Sequence, residues 1–150
     1  GNHDYWFSTK TKVDSFFREK GFDSLNILFN NAYEYGGYSL CGTRGWVNER
    51  GETVDRKVIL REAGRLRLSL EAGRKLDKPP IAFLHYPPVY YTNECREILD
   101  VLREYEVKQC YYGHIHGSGF QYAIDGLYDG IDFHLVSCDY VKFCPVLVLP

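Results

Sequence analysis

Residues 79–88 read Pro79-Pro80-Ile81-Ala82-Phe83-Leu84-His85-Tyr86-Pro87-Pro88. A short continuous apolar run bounded by proline pairs has the length of a strand buried on both faces. Its last buried residue hands the chain to a histidine. On the N-terminal side, Lys57 to Leu76 carries Ile59, Ala63, Leu66 and Leu70 at three- and four-residue spacing, with Arg61, Glu62, Arg65, Arg67, Arg74 and Lys75 on the positions between. That pattern predicts a long amphipathic helix whose charged face is solvated. On the C-terminal side, Cys95, Ile98, Leu99, Leu102 and Tyr105 form a second helical stripe with Asn93 as its expected cap, and Val107 to Tyr112 reads as another buried strand. Helix, strand, helix, strand is the alternation of an α/β domain.

The flanks complete the layout. Thr11 to Lys20 places Val13, Phe16 and Phe17 on one helix face, with Gly21 as its stop. Leu25 to Leu28 and Tyr33 to Gly42 read as strands, punctuated by Asn30-Asn31 and Gly36-Gly37. Beyond residue 112 strands are expected to dominate, at Phe120 to Ile124, Gly130 to Cys138 and Val146 to Leu149. The whole is an α/β domain with a mixed sheet that ends in antiparallel hairpins.

Composition removes several classes of function. At 150 residues, with 45% hydrophobic and 25% charged side chains, the chain is a single globular domain and not a disordered tail. Eighteen Lys and Arg against 20 Asp and Glu leave no basic footprint, so no stable nucleic-acid partner is expected. No apolar run nears the roughly 18 residues of a membrane helix, and no membrane partner is expected. Five cysteines, odd in number and without a CxxC pair, argue against a disulfide framework. Read as small core hydrophobes, they point to a reducing, cytoplasmic compartment.

Three histidine-bearing turns remain: Gly1-Asn2-His3-Asp4, Leu84-His85-Tyr86, and Gly113-His114-Ile115-His116-Gly117. The last two each follow a buried strand. Ligands in α/β sheets bind beyond the C-terminal strand ends, so His85, His114 and His116 are expected to converge on one edge. Converging imidazoles suit a metal. In an extended segment residues i and i+2 lie about 6.5 Å apart on one side, which lets His114 and His116 serve different ions of a pair about 3.5–4 Å apart.

Taken together and in this order, these turns resemble the third, fourth and fifth signature blocks of the calcineurin-like metallophosphoesterases. The resemblance implies part of an αββα sandwich and two divalent metal ions, Mn, Fe or Zn. It implies that Asn2, His85 and His114 are ligands of one metal and His116 of the other, that His3 is the general acid and that Asp4 orients it. The implied function is phosphate ester hydrolysis by a two-metal-activated hydroxide. Its substrate would be a phosphorylated small molecule, a nucleotide or a phosphoprotein.

Physical chemistry agrees with that chemistry. Metal binding lowers the pKa of water enough to supply a nucleophile at neutral pH, and a histidine held by a carboxylate protonates the leaving alkoxide. Such a His3–Asp4 pair requires the turn to bend back. Asn2 would offer a neutral amide oxygen, which selects no single metal.

The first two signature blocks have no counterpart. Asp132-Phe133-His134 imitates the first, yet it follows a Gly130 turn and the chain contains no Gly-Asp dipeptide for the second. With no Met in the sequence, the expectation is a C-terminal portion, residues 1–150, of a single domain, inactive by itself. The alternatives are a non-catalytic binding scaffold on the same fold and a structural zinc domain, the latter disfavoured by scattered cysteines. Tyr5, Trp6, Tyr86, Tyr90 and Tyr91 lie near the motifs and are read as packing residues ahead of substrate-stacking ones.

Overall fold

The structure, a computed structural model, describes residues 1–4, 9–46 and 55–148. In chain order it contains helix α1 (Lys10–Glu19), strands β1 (Ala32–Tyr35) and β2 (Tyr38–Thr43), and helix α2 (Arg56–Arg74). Strand β3 (Pro80–Leu84), the short pair β4 (Val89–Tyr90) and β5 (Asn93–Glu94), and helix α3 (Arg96–Glu104) follow. Strand β6 (Gln109–Tyr112), a 3-10 helix (Gly117–Tyr122), β7 (Gly126–Tyr128) and β8 (Ile131–Leu135) complete it.

Six strands form one sheet in the order β1-β2-β3-β6-β8-β7. The central four, β2, β3, β6 and β8, run parallel, and β1 and β7 pair antiparallel at the two edges. The architecture is the mixed α/β sheet with edge hairpins that the sequence predicts. At the β1–β2 turn, Gly36 and Gly37 both have positive φ (58° and 83°), as a two-residue turn matching strand twist requires.

One register row explains how the helices seat. Cys41, Ala82, Cys110 and Phe133 lie side by side across the four parallel strands, all buried. Three of these are small, so α2 comes close: a Cβ on Gly73 would stand 2.4 Å from Cys41 Sγ. Ile98, Leu99 and Leu102 of α3 are fully buried in the same core, each contributing roughly 2 kcal/mol by area removed from water. Phe83 and Tyr111 alternate to the opposite face and stack there, centroids 5.4 Å apart. His134 extends that ladder at 4.6 Å from Tyr111 and faces Asp132 at 3.3 Å. It is a sheet-face residue, in keeping with the reading of Asp132-Phe133-His134 as an imitation.

Several local expectations give way. Leu25 to Leu28 is irregular, because Asn31 Oδ1 accepts from the Phe29 amide at 2.6 Å and diverts a donor from any ladder. Asn93 is drawn into the β4–β5 hairpin opposite Tyr90, so Cys95 occupies the α3 N-cap without a side-chain bond. Phe120 to Tyr122 belongs to the 3-10 helix, begun at Gly117 with φ 55° and closed by Gly119 N–H to His116 O at 3.1 Å. Residues 146–148 form no strand, and Leu149 lies outside the described residues. Glu62, read as solvated, is wholly buried: Arg65 donates to its Oε1 at 2.6 Å and Arg44 at 3.3 Å.

Cysteines 41, 95 and 110 are free and buried, as small core hydrophobes are, whereas Cys138 and Cys144 are exposed. Burial pushes the Cys95 thiol up to about 11 and that of Cys110 higher still. Among the described residues no helix is long and apolar enough to cross a membrane.

Candidate metal centre

The four parallel strands end level. Thr43, Leu84, Tyr112 and Leu135 are register partners across β2, β3, β6 and β8, so the residues that follow leave the sheet along a single edge. Arg44, His85, Gly113 and Val136 are those residues.

Backbone hydrogen bonds then lace the loops together. The Arg44 carbonyl accepts from the amides of His85 (3.1 Å) and Tyr86 (2.9 Å), and the His85 carbonyl accepts from Gly113 N–H (3.2 Å). Val136 N–H continues the ladder to Tyr112 O at 2.8 Å. Arg44 is itself tied to α2 through Glu62. The His85 loop is thus fixed from both neighbouring strands.

On this frame the side chains of the first motif turn meet the second and third. His85 Nε2 lies 2.6 Å from Asn2 Oδ1 and 3.2 Å from His114 Nδ1. The turn at residues 1–4 bends back, with Asp4 N–H bonded to Gly1 O at 3.3 Å. It presses so close that a Cβ on Gly1 would stand 3.0 Å from His85 Nδ1. Tyr86 wedges against both imidazoles, 5.0 Å from His85 and 4.2 Å from His114 between ring centroids, with Trp46 behind it at 5.3 Å. Burial above all, with His114 nearby, pushes His85 down to about 4. It is neutral at pH 7, as an imidazole ligand must be.

His114 is the centre of a three-residue turn closed by Ile115 N–H to Gly113 O at 2.9 Å, with φ +72°. That is the rarer, strained hand of γ-turn. Ile115 is buried in the core and anchors the turn between its two histidines. His116 stands in a different setting, exposed, with Nδ1 2.7 Å from Asp139 Oδ1. Desolvation opposes ionisation of Asp139, yet hydrogen bonds from His116 and from the Gly117 amide outweigh it and hold the carboxyl below its usual range. Among the described residues, the group of three His, Cys, Asp or Glu ligand atoms mutually within 4.8 Å is His116, Cys138 and Asp139.

Residues 1–118 match a model of the family described as Calcineurin-like phosphoesterase. The chain belongs to this family. Neither the curated proteins nor the solved structures contain a match. Within the calcineurin-like phosphoesterases the general activity is phosphoester hydrolysis, and members generally bind two divalent metals.

The donor set fits such an ion. Atoms held about 2.1 Å from one metal at right or tetrahedral angles stand about 3.0–3.4 Å apart. The 3.2 Å spacing at His85 Nε2 already lies in that range, and the 2.6 Å spacing needs to open by only a fraction of an ångström. One amide oxygen and two imidazole nitrogens are borderline ligands, suited to Zn, Mn or Fe.

Sequence reasoning overlooked two contributors. The Arg44 carbonyl acts by tertiary contact, while Tyr86, read as a packing residue, packs against both imidazoles. Asp139 follows β8, and a search for acidic residues just past every parallel strand would have found it. Tyr90 and Tyr91 pack on Tyr122. Tyr5 and Trp6 lie outside the described residues.

Proposed function

We propose that this phosphoesterase cleaves phosphate esters at two divalent ions, with Asn2, His85 and His114 holding one and His116 contributing to the other. His3 is the general acid and Asp4 its orienting partner. The observation that carries the reading is the contact chain Asn2 Oδ1, His85 Nε2, His114 Nδ1 at the level strand edge. When bound, the ions supply Lewis acidity, which lowers the pKa of water and neutralises charge on the phosphoryl oxygens.

The chain's own residues do the rest. The strand row and the Arg44 carbonyl hold the imidazoles in place, so little reorganisation accompanies binding. Tyr86 packs against both rings and restricts their movement. His3, next in sequence to a ligand, delivers a proton to the departing ester oxygen, with Asp4 as its orienting partner. The substrate is a phosphorylated small molecule, a nucleotide or a phosphoprotein, and the proposed compartment is the cytoplasm.

Paired substitutions in the full-length protein test the assignment. His3→Ala is expected to lower turnover of a chromogenic phosphate ester by about 10²–10⁴-fold with metal content unchanged. His114→Ala is expected to weaken manganese or zinc uptake by more than about 100-fold, beyond what loss of a supporting hydrogen bond does. Equal metal loss in both variants makes His3 a ligand. Metal uptake without any ester hydrolysis favours a binding scaffold.

A further inference from the structure

We propose that Asp139 is the positioning residue that presents His116 to its metal through Nε2. The inference rests on the phosphoesterase reading above. A neutral imidazole carries one N–H and one lone pair, and which nitrogen holds the proton is set by what the other atoms around it accept. Here Nδ1 of His116 faces a carboxylate oxygen at 2.7 Å. A carboxylate only accepts, so Nδ1 is the donor and the lone pair lies on Nε2.

The carboxylate is itself fixed. Asp139 Oδ2 accepts from the Gly117 amide at 3.1 Å, and Oδ1 also accepts from the Tyr140 amide at 3.2 Å. Its turn is closed by Val141 N–H to Ser137 O (3.1 Å), Lys142 N–H to Asp139 O (3.2 Å) and Phe143 N–H to Cys138 O (2.7 Å). An exposed histidine is thereby given a defined ring orientation by a turn that leaves the neighbouring parallel strand. A charge-assisted bond of this kind also makes the remaining nitrogen a better donor to a cation.

Direct coordination by His116, Cys138 and Asp139 is the competing use of the same atoms. Three N–H groups already converge on the two oxygens of Asp139. An ion between His116 and Asp139 would have to displace the imidazole proton from the 2.7 Å contact. The hydrogen-bond pattern therefore favours support over ligation.

Long-range proton–nitrogen NMR of the metal-free, full-length protein reads the tautomer. The expected result is Nδ1–H at His116 in the wild type, lost in Asp139→Ala and kept in Asp139→Asn, whose amide oxygen still accepts. Titration with manganese or zinc is expected to find the His116 site about 10–100-fold weaker in Asp139→Ala, with the Asn2–His85–His114 site unchanged. An Nε2–H tautomer in the wild type overturns the proposal and needs no variant. So does unaltered affinity in an Asp139→Ala protein with the wild-type circular dichroism spectrum. An intense sulfur-to-cobalt absorption abolished by Cys138→Ser means direct ligation and also overturns it. Absence of metal uptake by the wild type brings down the phosphoesterase reading as well, whereas uptake indifferent to Asp139 brings down this inference alone.

Discussion

The two ends of the candidate centre are built differently. Around His85 and His114 the imidazoles are half-buried, wedged by Tyr86, and joined by backbone bonds to the loops after β2 and β6. Around His116 the ring is exposed at 58% and leans on one carboxylate. Both ends use the C-terminal edge of the same sheet. The contrast teaches that sheet register can place a side chain without help from the surface, while one a turn further out leans on a partner of its own.

The most damaging test of the buried end is Glu62→Ala. It leaves Arg44 and Arg65 without the carboxylate they share. Breaking a buried pair of this kind costs about 3 kcal/mol or more, and urea denaturation is expected to register about 3 kcal/mol, the low end because Arg44 is 20% exposed. A loss below about 1 kcal/mol would mean that the His85 loop does not depend on this network. Next is Gly73→Ala. Overpacking against Cys41 costs about 1–3 kcal/mol, and the better helix propensity of alanine returns about 1, so a net loss of about 1 kcal/mol is expected in the same assay. Smallest is Cys138→Ser beside His116, expected to stay within about 0.5 kcal/mol as an exposed substitution. A larger effect there would erase the distinction between the two ends.

That distinction also tracks what could be read from the residues alone. Ile81 to Leu84 and the periodic apolar residues of α2 and α3 announce themselves, because burial imposes period and composition on local sequence. The histidines beyond β3 and β6 followed from the same logic, since each strand delivers its next residue to the edge. Asn93 and Phe120 misled because short-range bonds, the β4–β5 pair and the Gly117 turn, overrode propensity. Glu62 misled for a different reason: a charge buried by partners on two elements looks in sequence like any charge on a helix. Asp139 meets His116 across 23 positions, and only its place past the end of a parallel strand marks it in sequence.

The left-handed backbone at His114 has a consequence for engineering. A non-glycine residue held there costs of order 1 kcal/mol or more, so this turn is less stable with histidine than with glycine, which has no Cβ to strain. Selection for thermal stability alone would therefore draw variants toward losing the imidazole. A stabilisation campaign on this fold that aims to keep the proposed metal site has to hold residue 114 constant.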